Sequence, residues 1–190
     1  MAAELEQIIF ETQADWEAWL EANHKQPDGI WMQLAKKDSE KVSQTYDEAL
    51  EIALCFGWID GQKKGFDDDY WLQKFTPRRK RSKWSQRNVD IVARLMDAGK
   101  IREAGLAEIE AAKADGRWEA AYEGSRKMEV PDDFTALLAT DPEAQAFFEQ
   151  LDSANRYSML YQIQDAKKPE TRQKRIQKFF EMCQRKEKKY

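Results

Sequence analysis

Residues 58–77 read Trp58-Ile59-Asp60-Gly61-Gln62-Lys63-Lys64-Gly65-Phe66-Asp67-Asp68-Asp69-Tyr70-Trp71-Leu72-Gln73-Lys74-Phe75-Thr76-Pro77, and this stretch decides the fold. Two runs rich in aromatic and β-branched residues, 58–66 and 70–75, flank a tract of three aspartates, the pattern of a β-hairpin. Pro77 lacks a backbone N–H and ends the sheet-forming part of the chain. Upstream, Gln7 to Glu11 reads as a short strand. Thr12 caps a helix to about Lys25 in which Trp16, Trp19 and Leu20 recur at helical spacing. Pro27-Asp28-Gly29 is a turn, and Ile30, Met32 and Leu34 alternate along a strand to Ala35. Thr45-Tyr46-Asp47-Glu48 forms a capping box for a helix, apolar nearly all round, that Gly57 stops.

Downstream of residue 82 only helical periodicity remains. Helices are expected at about 85–98, 102–114, 131–139, 142–151, 155–166 and 169–185, with caps or first-turn prolines at Ser85, Pro131 and Pro142. The sequence therefore predicts an α+β fold, with a small N-terminal sheet of about four strands packed with helices and an all-helical C-terminal half. Residues 1–82 form the α/β part and 83–190 the helical part of what is expected to be one compact two-lobed unit.

Composition excludes several classes. The chain has 190 residues, seven tryptophans and 12% aromatics, too many large apolar groups for a disordered chain. No apolar run reaches the roughly 18 residues of a membrane span, and the acidic N-terminus has no signal-peptide core, so a cytoplasmic protein is expected. Cys55 and Cys183 have no CxxC partner, and no metal site or cofactor is expected from these counts. His24 is the only histidine and falls at a surface helix end, which removes histidine-based catalysis. Cys55 reads as a buried structural thiol, and Trp118 and Tyr122 as core residues sharing a helix face.

The net charge of −4 resolves into four blocks: −10 over 1–73, +7 over 74–94, −8 over 95–165 and +7 over 166–190. Five of the six residues from Arg78 to Lys83 are cationic, and they run straight into a helix start, which already carries about half a positive charge. Such crowding is unfavourable without an anion. Arg78, Arg79 and Arg81, the hydroxyls of Ser82 and Ser85 and the ring of Trp84 are the parts of a phosphate or carboxylate cradle. The competing reading pairs these arginines with Asp67–Asp69 and makes Trp84 a packing residue. In the second island, Ile176, Phe179, Phe180 and Cys183 mark the buried stripe of the last helix. Arg172 lies at its edge as a candidate for the same anion or for an ion pair with a core-edge acid such as Asp165. Arg175, Lys178, Arg185 and Lys186 are expected in solvent. Asp60 is the one candidate general base, or else a partner for the arginines. Nucleic acid is not the expected partner, because the chain lacks the broad basic face that duplex binding requires.

Tyr46-Asp47-Glu48-Ala49-Leu50, Ala53-Leu54-Cys55-Phe56-Gly57-Trp58-Ile59-Asp60-Gly61, Phe75-Thr76-Pro77-Arg78, Ser82-Lys83-Trp84-Ser85, Asp115-Gly116-Arg117-Trp118 and Ala166-Lys167-Lys168-Pro169-Glu170-Thr171-Arg172 follow in that order. Together they resemble the bacterial YdeI/OmpD-associated, or bacteriocin-protection, family, from about Trp16 to Phe180. The resemblance implies a link to survival of bacteriocins and cationic antimicrobial peptides and to an outer-membrane porin. The residues and the resemblance lead to one expectation, a cytoplasmic module that holds a phosphate- or carboxylate-bearing small molecule, or a protein partner, in stress resistance. The alternatives are a histidine-free enzyme using Asp60 and Arg78–Arg81, and a weak nucleic-acid binder.

Overall fold

The computed structural model describes residues 5–124 and 128–190. The chain divides into two compact units, Met1–Tyr122 and Glu123–Tyr190. The fold is α+β, as the hairpin and the helical periodicity predict. The first unit holds β1 (Gln7–Ile9), α1 (Gln13–Asn23), β2 (Ile30–Ala35), α2 (Tyr46–Cys55), β3 (Trp58–Gly65), β4 (Tyr70–Pro77), α3 (Gln86–Asp97) and α4 (Glu103–Ala114).

Its sheet has the order β1-β2-β4-β3, with β1 parallel to β2 and the other pairs antiparallel. The hairpin closes as read, and Pro77 is the last sheet residue, opposite Trp58. Asp67 makes the turn by accepting from the N–H groups of Asp69 (2.9 Å) and Tyr70 (2.7 Å). Between Asp60 and Lys63 the register shifts, and the buried Gln73 amide fills the irregularity by donating to the carbonyls of Gly61 (3.1 Å) and Gln62 (3.3 Å). On the inner face Ile30, Met32, Leu34 and Phe75 meet an aromatic core centred on Trp16, whose indole donates to the Ala49 carbonyl at 3.1 Å.

The expected capping box forms between Thr45 and Glu48, and the Thr12 cap closes as a second one with Asp15. Gly57 adopts φ +73° and stops α2, a conformation open to glycine at little cost. α4 then crosses the end of α2 so closely that a Cβ on Gly105 would stand 2.2 Å from the Cys55 carbonyl oxygen. Gly105→Ala is therefore expected to destabilise the unit by about 1–3 kcal/mol in chemical denaturation, through overpacking against backbone that cannot yield. Cys55 is buried, and burial pushes its thiol up to about 11, as befits a structural residue.

Trp118 and Tyr122 depart from expectation. α4 ends at Ala114, so they share no helix face. Trp118 packs on Trp84 with ring centroids 4.9 Å apart. Tyr122 forms a parallel bridge with Ser85, its N–H donating to the Trp84 carbonyl (3.0 Å) and its carbonyl accepting from Gln86 (2.9 Å).

The second unit is helical: α5 (Asp132–Leu138), α6 (Pro142–Gln150), α7 (Ser153–Gln164) and α8 (Pro169–Gln184). Ile176, Phe179, Phe180 and Cys183 are buried as the periodicity requires, against Phe134, Phe148, Met159 and Leu160. Pro131 occupies the cap position of α5 rather than its first turn, and Asp152 starts α7 two residues earlier than expected.

Candidate functional site

The capping chemistry of α3 builds one wall of the site. Ser85 ends the basic loop in extended backbone, and its hydroxyl accepts from the Asn88 N–H at 3.2 Å. With the Gln86 N–H taken by Tyr122, part of this helix start is already satisfied. Affinity for an anion must then come chiefly from side chains. The cap sets Lys83, Ser85, Arg87 and Asn88 along one side of a cleft of about 310 Å³. α2 and β3 supply the opposite side with Tyr46, Ile59, Asp60 and Gly61, and Tyr122 closes one end.

Asp60 stands on the inner face of β3, opposite Phe75, and accepts from the Tyr46 hydroxyl at 2.8 Å. Burial holds the Tyr46 phenol well above its ordinary pKa, and the neighbouring Asp60 charge raises it further, so Tyr46 keeps its proton as a donor. Arg87 lies 5.4 Å from the Tyr46 ring centroid and donates to Asp47 at 2.6 Å. The cleft thus holds cations and a tyrosine-bound carboxylate together.

Arg78 lies beneath the loop, only 6% exposed, its guanidinium carbon 3.5 Å from the Trp84 ring centroid. Its Nη1 donates to the Lys83 carbonyl at 3.3 Å, while Nε and Nη2 are buried without a hydrogen-bond partner. The indole N–H of Trp84 is buried and unpartnered as well. Burial pulls the Arg78 pKa down to about 10, against the opposing charges of Glu108, Asp60 and Tyr122. Asp60 and Tyr122 line the cleft, whereas Arg78 and Trp84 are not among its lining residues.

The other candidates separate. Trp84 is 2% exposed and packed against Arg78 and Trp118, so its ring faces no solvent ligand. Ser82 and Arg79 close a tight turn on each other: the Arg79 N–H donates to Ser82 Oγ (2.9 Å) and the Ser82 N–H to the Arg79 carbonyl (2.8 Å). Arg79 and Arg81 are exposed. Asp67 and Asp69 use their carboxylates within their own neighbourhood, Asp69 accepting from Ser39 at 2.8 Å.

Arg172 belongs to the second unit and has an acid of its own. Its Nε and Nη2 fork onto Asp133 at 2.9 and 2.8 Å, and Nη1 donates to the Ile163 carbonyl at 3.2 Å. The acid it forks onto is Asp133, at the start of α5, while the last turn of α7 reaches it through the Ile163 carbonyl. Arg175, expected in solvent, donates to the Gln162 carbonyl. The Arg172 fork holds the Asp133 carboxyl below the usual range. That stabilisation is present above the ordinary carboxylate pKa and is lost as pH falls through the lowered one. Asp133→Asn is expected to flatten the acid limb of the second unit's stability, by less than about 1 kcal/mol for so exposed a pair, in pH-dependent melts.

Tyr46, Arg87, Asn88 and Tyr122 complete the cleft and were not among the sequence candidates. The two caps carried the signal for the first three, since each fixes a first helical turn. Tyr122 carried none.

Residues 8–108 match the family model described as Domain of unknown function (DUF8412). Residues 127–186 match the model described as Bacteriocin-protection, YdeI or OmpD-Associated, the family that the motifs resemble. The motifs from Tyr46 to Trp84 fall within the first match, and Ala166–Arg172 within the second. No curated protein and no solved structure matches the chain. Among the described residues, no helix is long and apolar enough to cross a membrane.

Proposed function

This chain belongs to the DUF8412 family, with a bacteriocin-protection, YdeI or OmpD-associated segment in its second unit, and we propose that its first unit binds a small phosphate- or carboxylate-bearing molecule. The cleft at the start of α3 is the binding place. The observation that carries the reading is Arg78, a guanidinium more than nine-tenths buried whose Nε and Nη2 have no acceptor, beside a Trp84 N–H in the same condition. A buried charge with donors left unpaired is costly, and donors without acceptors are the complement of an anion. Lys83 and Arg87 supply the field at the mouth, and Ser85 and Asn88 fix the wall. Asp60 opposes them, so the cleft favours a ligand that also brings a hydrogen-bond donor to that carboxylate.

Titration with nucleotides and phosphorylated metabolites, followed by the fluorescence of tryptophans that include Trp84 next to Arg78, tests the reading. A saturable change supports it, and a flat response across the series overturns it. Asp60→Asn is expected to tighten inorganic phosphate several-fold by removing the repelling charge, measured by calorimetric titration. A second reading rests on the 2.8 Å Tyr46–Asp60 bond in the same cleft. There Asp60 is a general base and the cations stabilise developing negative charge. It requires turnover of a bound ligand that Asp60→Asn abolishes while binding persists. The description matched by residues 127–186 supports a role in bacteriocin stress, exercised in this proposal from the cytoplasm. A deletion strain more sensitive to bacteriocins, with the protein in the cytoplasmic fraction, is the expected cellular result.

A further inference from the structure

The register leaves a second face of the sheet outside the aromatic core. Paired residues share a face. Lys74 pairs with Trp31, Leu72 with Gln33 and with Lys64, and Tyr70 with Ala35, so these residues point away from the side occupied by Ile30, Met32 and Phe75. Leu72 is 1% exposed yet lies outside the core cluster around Trp16. On the same face Lys64 sets its ammonium 4.4 Å from the Trp31 ring centroid. In a chain with 35 acidic residues, the only carboxylate in any of the four strands is Asp60, and it is on the inner face.

We propose that this face, built on Trp31, Tyr70, Lys64 and Lys74, binds single-stranded nucleic acid. The surface is a sheet face carrying aromatic rings and ammonium groups, with no carboxylate from its own strands. Stacked bases and a phosphate backbone need those two things. Trp31 and Tyr70 sit on neighbouring strands, offset by four residues in register, about 13 Å at the strand rise, which leaves room for a short run of nucleotides between two stacking points. Lys74 pairs with Trp31 and the Lys64 ammonium lies over one face of its ring, so a base stacks on the other face with both cations in reach of its backbone. Nothing on this face enters a groove, so a duplex, whose bases are stacked on each other, gains no contact. β2 and β4 bring Trp31 and Tyr70 together from distant parts of the sequence, and none of Trp31, Lys64, Tyr70 and Lys74 lines the cleft at α3.

The test is anisotropy of short labelled oligothymidylate and oligouridylate with the full chain, across a range of salt. Saturable binding is expected, with log K falling against log salt at a slope of about −1.4, the value for two phosphate contacts on a single strand. Trp31→Ala is expected to weaken binding roughly tenfold or more, and Trp31→Phe to retain it, which separates stacking from loss of fold. Lys64→Gln with Lys74→Gln is expected to bring the slope toward zero with an unchanged melting curve. Phosphate titration at the α3 cleft should be the same in Trp31→Ala and in the unaltered chain, so the two sites stand or fall separately. The proposal is overturned by an absence of saturable binding, or by equal affinity in Trp31→Ala. It is equally overturned by a steep slope abolished in Arg79→Ala/Arg81→Ala, or by self-association that shields Trp31 from a quencher.

Discussion

Replacing Trp16 by alanine is expected to remove about 3–5 kcal/mol from the stability of the first unit, the cost of deleting a fully buried large aromatic. Trp16 has no exposed surface and stands among Phe10, Trp19, Trp58 and Phe75, with ring centroids 5.0 to 6.0 Å away. It joins three elements: its own α1, the inner face of the sheet through Phe75, and α2 through the bond to the Ala49 carbonyl. Alanine would leave a cavity that the surrounding aromatic rings are too rigid to fill, and would strip the donor from that contact. A small domain has only about 5–15 kcal/mol to lose, so the variant should melt far below the unaltered chain or fail to fold. Circular dichroism melts read the effect directly. A change under 1 kcal/mol, on the order of a surface substitution, would place the centre of the core elsewhere.

Arg78→Met is expected to abolish the response to phosphate while leaving the ligand-free protein nearly as stable as before, or more so. Two terms oppose each other in the free protein. Stacking on Trp84 is lost, and so is a buried guanidinium whose pKa is depressed to about 10. The depression corresponds to a destabilisation on the order of 3 kcal/mol at neutral pH. The sign can be checked. Between about 10 and the ordinary 12.5 the unfolded chain holds more protons than the folded one, so stability should rise with pH across that window. Arg78→Met should lack that rise. With phosphate present, the unaltered chain gains in melting temperature as the anion binds the folded state, and the variant should gain roughly a tenth as much affinity or less. Equal phosphate stabilisation in both proteins would mean that the orphaned donors do not face the ligand.

Much of the fold is legible in the sequence because its signals are local. The Thr12 and Thr45 caps, the turn aspartates, Pro77 and the stripe Ile176, Phe179, Phe180, Cys183 act within a turn or two of themselves, and each element appears where they place it. The site is legible only in part. That Ser85 begins a helix, and that Arg78 and Trp84 are unusual, follows from the residues. That Arg78 is buried under the loop while Arg79 and Arg81 are exposed does not, because five neighbouring cations look alike in a string. That Arg172 pairs with an acid is one of the two readings its place at the edge of the stripe allows, but that the acid is Asp133, and that Arg175 is held as well, is a matter of tertiary geometry. Asp60 and Tyr46 are fourteen residues apart and meet only once β3 folds back along α2. The outer face of the sheet depends on pairing register, which no single strand reveals.

Anion binding at the start of α3 is the central functional property, and a heavy tetrahedral anion locates it most directly. A crystal soaked in tungstate is predicted to show an anomalous peak in the cleft between Asp60 and Arg87, bordered by Lys83 and Ser85, and that peak should vanish in Arg78→Met. Tungstate found only over the exposed Arg79 and Arg81, with the cleft empty, would contradict it.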